Sequence, residues 1–160
     1  MKIGIIIIFN NNEKDIDTEF FIKQLQQSYN LELCFVNNDS NDSTQLLLNE
    51  IKEHCSNVSV VNIKKNKSDL STVRAGARFM FSQFNLKHIG YVNTNILENK
   101  TNDLNRLIKI ITKNQDSIIK HNIEVLKKQD VKPTLYQSLF SVIEYLKTLN
   151  KKNQFVKLQY

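Results

Sequence analysis

A chain of 160 residues has the size of one ordinary domain, and the sequence is read as a single domain over residues 1–160. With 41% hydrophobic and 24% charged residues, one Pro and three Gly, it is neither disordered nor collagen-like and carries enough apolar side chains for a core. The net charge is +6, but its 19 lysines are spread along the chain with no aromatic-basic run, which argues against nucleic acid as a partner.

Lys2 to Phe9 is a continuous apolar run rich in Ile, the pattern of a strand buried on both faces of a parallel sheet, and it ends in Asn10, Asn11 and Asn12. Asp17 or Thr18 caps a helix whose Phe21, Leu25 and Tyr29 form one stripe. Leu31 to Val36 is the second strand, and the polar run Asn37 to Ser43 is its turn. Leu46, Leu47 and Ile51 lie on a half-apolar helix reaching His54, and Val58 to Ile63 is the third strand.

Asp69 caps the next helix, with Val73, Ala77 and Phe81 on an apolar stripe and Arg74 and Arg78 on a basic one. His88 to Val92 is the fourth strand. Thr101 then caps an amphipathic helix carrying Leu104, Leu107, Ile108 and Ile111, followed by a short apolar stretch at Ser117 to Ile119. Pro133 opens a last helix, Thr134 to Asn150, and Phe155 to Leu158 reads as a tail strand. The wide apolar stripe of that last helix either packs back on the sheet or makes a homodimer contact.

Strands alternating with helices through about residue 120 predict βαβ units with right-handed crossovers. The fold class is therefore α/β, a three-layer, mostly parallel sheet with helices on both faces. Such sheets bind ligands at the carboxyl ends of their strands, here Phe9 to Asn12, Asn37 to Asp42 and Asn93 to Asn95. Neither GxGxxG nor GxxxxGK[ST] follows the first strand, so the two usual phosphate-cradling loops are absent.

These strand ends resemble the nucleotide-sugar-binding half of family 2 glycosyltransferases with the GT-A, Rossmann-like fold. Ile8, Phe9, Asn10 and Asn11 stand where that family has a pattern like Pro-Thr-Tyr-Asn. Val36, Asn37, Asn38, Asp39, Ser40, Asn41, Asp42, Ser43 and Thr44 follow the order Val-Asp-Asp-Gly-Ser-Thr-Asp-Gly-Thr, which Val36, Ser40, Asp42 and Thr44 match. Asn66 and the run Arg74, Ala75, Gly76, Ala77, Arg78 are similar to the segment that approaches the diphosphate. Asn93, Thr94 and Asn95 occupy the place of the Asp-x-Asp motif, without its carboxylates.

The resemblance implies a nucleotide-sugar-binding half over residues 1–120 and a shortened C-terminal helical segment over 121–160. It implies a nucleoside-diphosphate sugar as ligand, contacted by Phe9, Asn10, Asn11, Asn37, Asn38, Asp39, Asn66, Arg74, Arg78, Asn93 and Asn95. A Mg or Mn ion would assist if the donor site is functional, although Asn offers a carbonyl oxygen and no charge to such a cation. Glu98 is the nearest carboxylate after Asn95. No catalytic base is identifiable in the last 40 residues.

Each of these residues also has an ordinary structural use. Asn10, Asn11, Asn93 and Asn95 are turn formers, Asp39 and Asp42 suit a helix cap, and Arg74 and Arg78 suit a solvated helix face. Three functions stay open: an active minimal glycosyltransferase, a catalytically inactive GT-A-like nucleotide-binding or protein-interaction module, and an unrelated doubly wound domain in which Asn-rich drift mimics the motifs. Cys34 and Cys55 form no CxxC pair and read as buried or idle thiols, and His54, His88 and His121 read as structural. The apolar run Ile3 to Phe9 is far short of the roughly 20 residues that cross a bilayer, and no cleavage site follows it, so the expectation is a soluble, cytoplasmic protein.

Overall fold

The computed structural model describes residues 2–28 and 30–153. Five parallel strands, β1 (Ile3–Phe9), β2 (Leu31–Asn38), β3 (Val58–Ile63), β4 (Ile89–Asn93) and β5 (Phe140–Ser141), form one sheet in the order β3-β2-β1-β4-β5. The helices are α1 (Thr18–Gln26), α2 (Thr44–His54), α3 (Asp69–Gln83), α4 (Lys100–Lys113), α5 (Gln115–Lys127) and α6 (Val142–Asn153). The three-layer α/β class expected from the sequence is the one observed.

The side-chain alternation of β1 separates two cores. Ile3, Ile5, Ile7 and Phe9 face α1, α2, α4, α5 and α6, while Ile6 and Ile8 face α3. Every residue of β1 is buried, as its uninterrupted apolar run requires. Phe9, Phe21 and Phe35 meet edge to face, with Phe9 and Phe35 centroids 5.3 Å apart. On the other face α3 lies close on the sheet because Gly76 has no side chain: a Cβ there would stand 2.8 Å from Ile6 Cγ2 and 3.0 Å from Val36 Cγ2.

The direction of travel across the sheet places the ligand-binding end. From β1 the chain moves outward to β2 and β3 with α1 and α2 on one face, then crosses back with α3 on the other to β4. β1 and β4 are thus neighbours whose chains leave in opposite directions, the topological switch point at which open α/β sheets form a crevice.

Several local expectations change. β2 continues through Asn37 and Asn38, expected in the turn, because both side chains find polar partners and remain buried. Leu46 points to solvent, and α2 buries Leu48 and Ile51 instead. Ser68 rather than Asp69 caps α3, its hydroxyl accepting from Ser71 N. α4 begins at Lys100, before Thr101, with the Asp103 carboxylate accepting from Asn99 N at 3.1 Å. Ser117 to Ile119 lies inside α5, with Ile118 and Ile119 against the larger core.

The last helix starts at Val142 rather than Thr134, since Phe140 and Ser141 pair beside Gly90 and Tyr91 before it begins. Gly90 admits that edge strand: a Cβ there would stand 2.6 Å from the Phe140 ring. Val142, Ile143, Leu146 and Leu149 pack into the chain's own core, which takes up the stripe considered for a homodimer contact. The step from β4 to β5 runs through α4 and α5 on the face of α1 and α2 and then brings Tyr136 and Leu139 to the α3 face before the edge strand begins. The tail strand Phe155 to Leu158 falls outside the described residues. No helix among the described residues is long and apolar enough to cross a membrane.

Candidate functional site

At the carboxyl end of the sheet, asparagine side chains join one strand terminus to the next. Asn10 donates through Nδ2 to the Asn38 carbonyl, and its backbone N–H donates to Asn12 Oδ1 at 2.7 Å. Asn11, at φ 51°, donates its N–H to Ser40 Oγ at 3.0 Å and accepts from Asn41 N at 2.7 Å. Left-handed backbone suits Asn better than most side chains, which explains the residue type at this turn.

The second strand end is held in the same way. Asn37 donates to Asn62 Oδ1 at 3.1 Å and accepts from the Ser40 hydroxyl. Asn38 and Lys67 exchange two hydrogen bonds of 3.0 Å, and Asn38 Nδ2 also reaches Asn66 Oδ1 at 3.2 Å. Asp39, the other non-glycine residue at φ 51°, accepts from Asn66 N at 3.2 Å.

Asp42 sits at the start of α2 and accepts from Thr44 N at 3.0 Å, from the Thr44 hydroxyl and from Glu13 N at 3.1 Å. Burial alone would raise its pKa, but these hydrogen bonds to the carboxylate prevail and hold it below the ordinary value. Of the two candidate caps, Asp42 satisfies the first N–H of α2 from just before its N-cap residue Ser43, while Asp39 ties the second strand end to the third.

The switch point itself is closed by Asn12 and Thr94. The Thr94 hydroxyl lies 2.8 Å from the Ile8 carbonyl and 3.1 Å from Asn12 Oδ1, and Asn12 N–H donates to Thr44 Oγ1 at 2.8 Å. Both residues are fully buried, and neither stood among the expected ligand contacts. Their sequence signal was slight, a polar residue beside asparagine in each case.

Asn93 stands apart from this network. Its Oδ1 accepts from Asn95 N at 3.0 Å, which fixes the amide so that Nδ2 is the free end. That nitrogen is buried and has no hydrogen-bond partner, and no other described residue of the strand-end loops carries such an atom. A buried unsatisfied donor costs about 1–3 kcal/mol, so its retention calls for an explanation.

The expected contact residues are thus brought together only in part. Asn10, Asn11, Asn37, Asn38, Asp39 and Asn66 form one hydrogen-bonded cluster, with Asn93 and Asn95 beside it. Phe9 belongs to the core and is fully buried. Arg74 and Arg78 lie on the exposed side of α3, and Arg78 is about 13 Å along the axis from the helix start at 1.5 Å per residue.

The position implied for a divalent cation does not fit one. Asn93 spends its carbonyl oxygen on Asn95 and presents N–H groups, which repel a cation. Among the described residues no group of three or more His, Cys, Asp or Glu side chains is placed to hold a metal.

No family model matches the chain, and no curated protein matches it in sequence. Among solved structures, it is similar to the crystal structure of S. aureus TarS, at 15% identity and a TM-score of 0.49. The match covers 77% of this chain and 20% of that one, so this chain spans about a fifth of the length of TarS.

Proposed function

We propose that this chain is a GT-A-like module that binds a nucleoside-diphosphate sugar at the carboxyl ends of β1, β2 and β4 without a divalent cation. The observation that carries this reading is the unpartnered Asn93 amide at the switch point between β1 and β4. A phosphate, carbonyl or hydroxyl oxygen is the partner such a donor lacks. The polar loops around it supply further amide donors and acceptors of the kind that contact a base and ribose. With no carboxylate group to hold a cation and no base assigned among the described residues, binding is the reading favoured over sugar transfer.

Calorimetric titration with UDP, GDP and their sugar conjugates, each with and without Mn²⁺, tests it. The expected result is binding that Mn²⁺ does not change and that Asn93→Ala weakens about tenfold, the loss of one charge-assisted hydrogen bond. Strictly Mn²⁺-dependent binding would contradict it and favour an active glycosyltransferase, and no binding would leave the strand ends without this ligand. The double substitution Asn93→Asp and Asn95→Asp is expected to add a cation-dependent component if the pocket accepts the nucleotide.

A further inference from the structure

A cleft of about 260 Å³ opens on the α3 face of the sheet, lined by Asp69, Leu70 and Val73 of α3, Tyr91 of β4, and Tyr136 and Leu139 of the segment before β5. The strand-end loops do not line it. We infer that this cleft is a separate binding site for a planar aromatic ring that carries an anionic group.

Size comes first. The cleft lies just below the roughly 300–1,000 Å³ of pockets that enclose drug-sized ligands, so it admits one ring system rather than a whole nucleotide sugar. Its lining is mainly aliphatic and aromatic. A sugar ring would set hydroxyls against Leu70, Val73 and Leu139, whereas a flat unsaturated ring matches them and stacks on tyrosine.

Charge supplies the second half. The Arg74 guanidinium lies 5.8 Å from the Tyr136 ring centroid, and Phe81 meets the same ring edge to face, so that wall of the cleft is held from two sides. Arg74 stands beside the lining, against Tyr136, and has no carboxylate partner among the described residues, so its charge offsets that of Asp69 in the lining and its donors are open to an anion next to the ring. Leu70 and Tyr136 are 61% and 42% exposed, an arrangement that leaves apolar surface uncovered at the cleft mouth.

The test uses the full chain and calorimetric titration with uridine monophosphate and phenyl phosphate, set beside phenol and inorganic phosphate. Both ring phosphates are expected to bind, with phenol and phosphate each weaker by about tenfold or more. Tyr136→Ala is expected to weaken binding about tenfold, Tyr136→Phe to preserve it, and Arg74→Gln to weaken it about tenfold while flattening its salt dependence. Tyr136 is surface-exposed, and circular dichroism checks that the variants fold.

Phenol binding as tightly as phenyl phosphate would overturn the anionic half. No binding of either ring phosphate at millimolar concentration would overturn the site. Binding indifferent to Tyr136→Ala but lost in Asn95→Ala would place the probe in the strand-end loops, which would overturn this inference and leave the nucleotide-sugar reading standing.

Discussion

The two ends of the sheet are both built on asparagine, yet they are satisfied to different degrees. At the amino end, Asn57 Nδ2 lies 2.9–3.2 Å from the carbonyls of Leu25, Ser28 and Leu31, tying α1 to the start of β2. Nearby, Asn122 accepts from the Tyr145 hydroxyl at 2.7 Å and turns its Nδ2 to His88 Nδ1 at 2.6 Å. The two ends of the Asn122 amide thus bridge His88 and Tyr145. At the carboxyl end, Asn93 keeps an unpartnered donor, and Asn11 and Asp39 hold left-handed backbone. Asn57 and Asn122 are satisfied and serve the architecture, whereas Asn93, with its unmet donor beside residues in unusual backbone, is the asparagine on which the proposed ligand reading rests.

The largest effect that would break this contrast is at Asn122. Asn122→Ala leaves His88 and Tyr145 without their shared partner in a buried site, and a loss of about 2–3 kcal/mol is expected in urea unfolding. A cost below about 1 kcal/mol would mean that the amino end is not the structural one. Asn57→Ala is expected to cost about 1–2 kcal/mol, since water can reach these part-buried carbonyls.

Acidification should sharpen the comparison by separating the ends in pH. Burial, and then the neighbouring Lys87 charge, pull the His88 pKa below its ordinary value, so the folded chain binds this proton less readily than the unfolded one. The contribution of His88 is present above its unfolded value of about 6.5 and fades as pH falls from there. Asp42 is also held low, so its contribution is intact above about 3.9 and fades below it. Unfolding measured against pH should show two steps, the upper removed by His88→Gln and the lower by Asp42→Asn. The smallest effect is expected for Asn93→Ala, under about 1 kcal/mol, because losing the Asn95 contact is offset by removing a buried unpaired donor.

Much of the sheet was legible because β1 and β3 announce themselves as apolar β-branched runs and α4 as a regular apolar stripe. The end of β2 was not, because Asn37 and Asn38 look like turn residues until Asn62 of β3 and Asn66 and Lys67 of the loop after it arrive to satisfy them. The segment 134–141 misled for a related reason. Leu135 and Leu139 share helical spacing with Val142 and Leu146, yet the pairing of Phe140 beside Gly90 delays the helix. For the candidate site, the strand ends were legible as polar loops. The roles of Asn12 and Thr94 depend on contacts across more than 80 residues of sequence, which no local pattern carries.

The most direct test of the contrast is an amide NMR titration of the full chain with UDP-glucose, following backbone and asparagine side-chain resonances. The account predicts shifts at residues 10–12, 37–41 and 93–95, including the Asn93 side-chain amide, with Asn57 and Asn122 unmoved. Shifts centred on Asn57 and Asn122, or none at the carboxyl end under saturating ligand, would contradict it.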